Sequence, residues 1–553
     1  MSSQWRRKML YKKSKALSKS KVELSESYKE EIRSQVYLGK KGYTIPKSCL
    51  SKEDLDELYE ILNVKPVIPG ISYGGATAND GAFPVYRENS NKIYIPRFFG
   101  IERYGLPNKS EITQGDNISL EFPKPLRDYQ EKIIDVYMKH INNSICIGSE
   151  QKGNGGILEV PCGRGKTVMA LKIISNLKKK TLIIVHKEFL MNQWIERIDE
   201  FLPGAKIGKI QGPIFDVEGK DIVIGMLQTL YDRALPEKAF DSFGLTIIDE
   251  VHRIGSEQFS KTLLRVLSPN MLGISATVDR KDKLTCVLYM FIGPKIYTEA
   301  RKDEDPVCVR SIEYISSDSQ FNETEYDFKG QAKYSTMISK LCEFGPRSDF
   351  IVKVLKDLIN ESRENEENAQ IMVLAHNRSL LKYFYEAINH HGFSSVGYYV
   401  GGMKQSDLQE TEGKQIVLAT YAMAAEALDI KSLSILVMAT PKTDITQSVG
   451  RILRVRHDNP IVVDIVDHHD IFQNQWKQRK TFYRKCNYRI LSIDSIRYKT
   501  MSLDWKNDKT WNTTFEPKNG KKYNNDDEYT GGNPLLKKKC LISIADLDIN
   551  DNI

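Results

Sequence analysis

Residues 163–167 read Gly-Arg-Gly-Lys-Thr, inside the stretch GILEVPCGRGKT at 156–167. A short apolar run precedes them and a new helical pattern follows. Amides in a tight glycine turn, and at the helix start behind it, converge on phosphate oxygens. Gly163, Arg164 and Gly165 would form that turn. Lys166 would reach the β and γ phosphates of a nucleoside triphosphate, and Thr167 would offer its hydroxyl to Mg²⁺.

Other residues of the right type follow in a telling order. LTIIDEVH at 245–252 ends an apolar run in two acids: Asp249 to hold Mg²⁺, directly or through water, and Glu250 to polarise the attacking water. His252 would couple the nucleotide to neighbouring motifs. Ser275-Ala276-Thr277 closes the next apolar run, and its hydroxyls could bond to that acidic group. In QSVGRILR at 447–454, Gln447, Arg451 and Arg454 share one helix face by their spacing of four and three. Two arginines facing a cleft could meet the γ phosphate when the cleft closes. Upstream, LRDYQ at 126–130 offers Gln130 to an adenine edge, with Arg127 beside it. Lys187, Gln193, Gln228, Thr229, Gly401, Gly402 and Thr420 follow successive apolar runs, where amides and hydroxyls can hold a nucleic-acid backbone without reading its sequence. Glu426 and Asp429 could contact ribose or bridge to the arginine helix.

The elements that must position these residues are legible as apolar runs alternating with helical stretches. Strands are expected at 157–160, 181–185, 221–225, 245–248 and 271–275, with helices over 167–178 and 187–201. A second series has runs at 371–375, 396–400, 415–419, 434–439 and 461–466, then a basic helical stretch at 470–485. Continuous apolar strands between helices imply parallel sheets covered on both faces, with ligands at the strands' carboxyl ends. Ahead of both, residues 67–107 interleave aromatics with Gly-Pro turns and carry Arg87, Lys92, Arg97 and Arg103. This predicts a small β-rich module, whose aromatics either form its own core or stack on bases. The fold class is therefore α/β, with two tandem parallel-sheet domains behind a small β-rich module.

Composition narrows the class. The balance of 80 Lys and Arg against 72 Asp and Glu is compatible with a polyanionic partner but does not demand one. Eight scattered cysteines, without close pairs, argue against a disulfide framework or a structural zinc site. No apolar run is long enough to span a membrane.

GRGKT, DEVH, SAT and QSVGRILR, in this order, resemble the superfamily 2 helicases. DEVH, LRDYQ and GRILR resemble the branch containing XPB, and the chain is most similar to the poxvirus-type transcript-release DNA helicases and their relatives in other large DNA viruses. The resemblance implies ATP and Mg²⁺ as cofactors, 3′-to-5′ movement on DNA, with RNA possible, and a link to transcription. RNA polymerase and transcription factors are the implied protein partners, and virion and host cytoplasm the implied location. It makes Lys166, Asp249, Glu250, Arg451 and Arg454 catalytic. Charge and texture along the chain divide off a basic tail over 1–21 and an accessory region over 22–117, and the resemblance, which covers about 118–480, implies RecA-like domains over 118–294 and 346–480. A connecting segment over 295–345 lies between them, and an extension over 481–553 follows. Two departures stand out: residues 280–282 are Arg-Lys-Asp where the XPB branch has Arg-Glu-Asp, and Ala427 replaces a glycine. The alternatives are an RNA helicase, a binding module with a vestigial nucleotide site, and a metal-dependent nuclease fused to the motor.

Overall fold

The computed structural model describes residues 24–67, 81–143, 146–147, 150–151, 153–161, 163–236, 238–251, 257–280, 282–299, 306–328, 330–364, 369–426, 430, 432–450, 452, 457, 459–500 and 510–517. Two eight-stranded sheets dominate. The first runs in the order Ile214–Phe215, Ile207–Gln211, Ile222–Met226, Thr181–Val185, Leu245–Asp249, Asn270–Ser275, Gly155–Glu159, Lys295–Thr298. All its pairings are parallel except that of the outer strand Ile214–Phe215. The second runs Val396–Tyr399, Ile416–Thr420, Gln370–Ala375, Leu433–Met438, Ile461–Asp467, Cys308–Tyr314, Arg489–Asp494, Asn512–Phe515. It is parallel up to an antiparallel last strand. This is the tandem RecA-like arrangement.

Strand periodicity explains why the central strands are apolar throughout. Leu182 and Ile184 enter one core while Ile183 and Val185 enter the other. Ile371, Val373 and Ala375 divide from Met372 and Leu374 in the same way. One face of the first large sheet is covered by the helices Asp128–Asn142, Lys166–Leu177 and Glu188–Phe201, through Ile133, Met169, Ile173 and Trp194. The opposite face shares its core with the small module, where Tyr43, Ile95 and Tyr104 belong to one cluster with Ile248, Leu264 and Leu288.

The module begins earlier than the sequence suggests. Its five strands are Tyr37–Gly39, Gly42–Pro46, Arg87–Glu88, Lys92–Ile95 and Lys109–Ser110. IERY at 101–104, inside the span expected to be β-rich, lies in the helix Arg97–Tyr104. Much of VIPGISYGG, at 68–75, lies outside the described residues. Its cations are spent on partners in the module itself or in the first large domain. Arg87 donates to the Lys261 carbonyl (3.0 Å), Arg103 pairs with Asp54 and Glu57, and Lys92 donates to the Tyr37 hydroxyl (3.2 Å). Tyr43 and Tyr104 are buried. The structure therefore favours the reading in which the aromatics are the module's own core.

Arg97 pins the module to the first sheet. Its guanidinium is 1% exposed and donates to the carbonyls of Pro269 (2.8 Å) and Gly153 (3.0 Å). Burial pushes its pKa down to about 10. Arg97→Ala leaves those carbonyls dry and is expected to cost about 2–4 kcal/mol. Urea denaturation followed by tryptophan fluorescence measures it, and a loss below about 0.5 kcal/mol would mean the seam does not depend on this residue.

The segment expected to connect the two sheets contributes to both. Lys295–Thr298 forms the edge of the first, and Cys308–Tyr314 lies inside the second, between Ile461–Asp467 and Arg489–Asp494. The second sheet also runs past 480, through Arg489–Asp494 and Asn512–Phe515.

Candidate active site

Three adjacent strands of the first sheet, Leu245–Asp249, Asn270–Ser275 and Gly155–Glu159, deliver their carboxyl ends side by side. The phosphate-type loop leaves the last of them. Gly163 (φ +83°) and Gly165 (φ +75°) take left-handed conformations that only glycine adopts at little cost, and the helix starts at Lys166. A Cβ on Gly165 would lie 2.4 Å from Gln130 Nε2. Gly165→Ala is therefore expected to weaken nucleotide binding by roughly tenfold or more, about 1.4 kcal/mol, because strain and collision act together on the cradle. Titration with a fluorescent ADP tests this, and unchanged affinity would refute it.

Opposite the loop, Lys166 Nζ lies 3.8 Å from Glu250 Oε1. Asp249 is buried, and Trp194 Nε1 donates to its Oδ2 at 3.0 Å from the helix Glu188–Phe201. Glu250 has φ +51°, unusual for a residue with a side chain, and its amide donates to Asp249 Oδ1 at 2.9 Å. That bond turns the chain so that two successive acids serve one site. Burial, then the charge of Glu250, hold the Asp249 carboxyl above the usual carboxylate range, while Lys166 and Trp194 oppose the shift. A carboxylate and a threonine hydroxyl are hard oxygen donors of the kind Mg²⁺ takes, and the glycine cradle leaves room for phosphate. The residues present fit a magnesium-bound nucleoside triphosphate.

The segment with Arg127 and Gln130 is tied to this loop. The Arg127 amide donates to Gln130 Oε1 (3.0 Å), capping the helix Asp128–Asn142, and Gln130 Nε2 donates to the Arg164 carbonyl (3.2 Å). Arg127 itself is exposed and donates to the Tyr129 hydroxyl (3.1 Å). The Arg164 guanidinium stacks 4.1 Å from the Tyr129 ring centroid and pairs with Glu299. At the end of the next strand, Ser275 Oγ donates to the Thr277 carbonyl (2.7 Å), a bond within its own motif. Arg280 and Asp282, which flank the departure from the XPB pattern, pair with each other.

The residues proposed for nucleic acid also follow carboxyl ends of parallel strands. Lys187 caps the helix after Thr181–Val185, and Gln228 and Thr229 open the helix after Ile222–Met226. Gly401 and Gly402 follow Val396–Tyr399, and Thr420 ends its own strand. Several are locally bonded: Gln228 donates to Asp232 (2.5 Å), Thr229 Oγ1 accepts from the Gly212 amide (2.9 Å), and the Gly401 carbonyl accepts from Arg378. Phe189, on the helix behind Lys187, packs against cores of both large sheets.

His252, Arg451 and Arg454 lie outside the described residues, as do Lys281, Ala427 and Asp429 and the side chains of Glu426 and Gln447. Around the arginines, Val449 and Ile452 are buried in the core of the second sheet. Sequence reasoning missed Trp194 and Glu299, which reach the site only through tertiary contact, and Glu159, which ends the loop's own strand but was given no role. Tyr129 stood inside a motif without a role of its own.

Comparison with known proteins agrees with this geometry. The family described as "Type III restriction enzyme, res subunit" matches residues 123–280. A protein of Acanthamoeba polyphaga mimivirus named "Putative ATP-dependent RNA helicase L396" is 33% identical over 458 residues, covering 81% of this chain and 85% of that one. "Putative ATP-dependent RNA helicase QP509L" of African swine fever virus is 28% identical over 401 residues, covering 68% and 75%. "DNA 3'-5' translocase XPB2" of Sulfurisphaera tokodaii is 32% identical over 214 residues, covering 37% and 44%. With its phosphate loop, its paired acids and its two parallel sheets, the chain belongs to the ATP-dependent helicases of superfamily 2, related to those of large DNA viruses and to the XPB-like translocases.

Proposed function

We propose that this protein is an ATP-dependent RNA helicase, using hydrolysis at Lys166, Thr167, Asp249 and Glu250 to move along a strand held across both sheets. The motif resemblance points first to DNA. The RNA alternative gains from one observation: the mimiviral protein aligned over 458 residues at 33% identity carries RNA helicase in its name. The DNA reading keeps the support of the archaeal translocase, whose name also supplies the 3′-to-5′ direction, over 37% of the chain. A role in viral transcription, including release of nascent transcripts, with RNA polymerase and transcription factors as partners and the virion and host cytoplasm as location, is the finer reading. The viral sources of the relatives support it.

In this reading Lys166 and the loop amides bind the β and γ phosphates, and Thr167 and Asp249 hold Mg²⁺. Mg²⁺ supplies neutralisation of the phosphate charge when bound. Glu250 orients and polarises the attacking water, and Arg451 and Arg454 meet the γ phosphate from the second sheet. Arg127 and Gln130 contact adenine, Gln447 contributes to the nucleotide site, and His252 couples that site to neighbouring motifs. Lys187, Gln228, Thr229, Gly401, Gly402 and Thr420 contact the strand's backbone.

Steady-state hydrolysis with single-stranded RNA, single-stranded DNA or neither tests the reading, with Glu250→Gln as control. RNA is expected to stimulate turnover by roughly tenfold or more, and the variant to lose it. Stimulation by DNA alone would return the assignment to a DNA motor. Absence of hydrolysis with either would sink the motor reading.

A further inference from the structure

The phosphate loop is braced from outside the nucleotide motifs. Arg164 sits between the two loop glycines, yet its side chain is built into the first sheet's edge. Its guanidinium lies over Tyr129 and its Nε donates to Glu299 Oε1 at 3.1 Å. Its carbonyl accepts from the Tyr129 hydroxyl (3.4 Å) and from Gln130 Nε2 (3.2 Å). One loop residue thus joins the adenine-side segment to Glu299.

Glu299 is the residue at which the first sheet hands the chain to the second. It follows the edge strand Lys295–Thr298, its amide donates to the Glu159 carbonyl (2.9 Å), and the next described strand is Cys308–Tyr314 of the second sheet. Its side chain is 10% exposed, and its Oε2 is buried with no hydrogen-bond partner among the described residues. Glu159, at the end of the loop's own strand, accepts from Lys295 Nζ (2.8 Å), Thr298 Oγ1 (3.2 Å) and the Val278 amide (2.8 Å). The loop strand, the segment after Ser275–Thr277 and the chain leading to the second sheet therefore meet at two neighbouring carboxylates.

We propose that Glu299 is a positioning residue for the nucleotide site, holding the phosphate loop and the adenine-side segment in their binding arrangement through Arg164 and tying both to the connection between the sheets. This rests on the ATPase reading above. A lone arginine on a glycine turn has many rotamers; the planar guanidinium fixed between a carboxylate and an aromatic ring has one. Ordering the loop before the nucleotide arrives removes that cost from binding. The connection also gives movement of the second sheet a covalent route to the loop.

The test is affinity of the full chain for an ADP carrying a fluorescent ribose label, in wild type, Glu299→Ala and Glu299→Gln. Glu299→Ala is expected to weaken binding at least fivefold. Glu299→Gln, which can still accept from Arg164, is expected to recover part of that loss. In steady-state hydrolysis KM for ATP should rise by more than kcat falls, a split that mere loss of stability does not produce. Affinity within twofold of wild type in Glu299→Ala would overturn the proposal, as would a loss explained by a fall in melting temperature. Failure of wild type to bind the labelled ADP would overturn the nucleotide-site reading itself, and the brace with it.

Discussion

Asp249→Asn is expected to abolish ATP hydrolysis and, in the absence of nucleotide, to raise the melting temperature. Both effects come from one geometry. The carboxylate is buried beside Glu250, with Lys166 3.8 Å from Glu250 Oε1 as the nearby cation and Trp194 as donor. An amide retains the shape and can still accept from Trp194. It carries no charge to hold a magnesium ion, so turnover should fall by roughly 10²–10³. Without ligand, the charge it removes is one the fold opposes, so stability should rise by about 1 kcal/mol, or about 2–4 °C.

The pH dependence has a definite sign. The folded carboxyl has a raised pKa, so its protonated form is the one the ligand-free fold favours. Stability is fully present below the unfolded carboxylate value and is lost as pH rises through the folded one. The advantage of Asp249→Asn should therefore be greatest at neutral and higher pH and vanish under acid conditions. Hydrolysis runs the other way: it needs the carboxylate, so capture of Mg²⁺-nucleotide by the free wild-type site should weaken as pH drops. Scanning calorimetry across pH, with and without Mg²⁺-ADP, reads both. Added nucleotide should stabilise wild type and leave the variant nearly unmoved. A variant less stable than wild type at neutral pH would show that the site is not frustrated in this way.

What the sequence made legible was local. The loop glycines, the strand ending in Asp249 and the apolar runs of both sheets are contiguous patterns, set by period and by turn chemistry. The strand Cys308–Tyr314 was hidden because it is polar for a buried central strand. Arg310 is neutralised by both oxygens of Glu361 (2.7 and 2.8 Å), and Ser311 Oγ donates to the Leu491 carbonyl (3.1 Å). Those partners lie 51 and 180 residues away, so no window reveals them. Tyr37–Gly39, at three residues, is too short to display a period. The supports of the candidate site were hidden likewise: Trp194 reaches Asp249 across 55 residues and Arg164 reaches Glu299 across 135. Motifs announce the groups that do chemistry, whereas the groups that hold them still are chosen by tertiary proximity.

Arg347→Ala is expected to have the largest effect on stability, about 3–5 kcal/mol, from a residue outside every motif. Its side chain and that of Asp467 are both 0% exposed. The guanidinium grips the carboxylate with two bonds, Nε to Oδ1 at 2.6 Å and Nη2 to Oδ2 at 2.8 Å, and Nη2 also donates to the Ala439 carbonyl at 2.9 Å. Truncation leaves Asp467 charged, dry and alone. The same contacts have a positional meaning. Asp467 ends the strand Ile461–Asp467, and Ala439 follows its neighbour Leu433–Met438. The chain leaving Ala439 carries Gln447, Arg451 and Arg454 before it re-enters the sheet at Ile461, so Arg347 fixes the point from which the segment proposed to meet the γ phosphate departs. Arg347→Lys cannot reproduce a bidentate grip with a third bond and should recover only part of the loss. Replacing both partners, Arg347→Met with Asp467→Leu, removes the stranded charge and should restore most of the stability. If the double replacement unfolds as readily as Arg347→Ala in urea, packing rather than charge sets the cost. If instead stability returns while hydrolysis stays low, the pair is needed to aim the segment between the strands and not merely to keep the sheet folded.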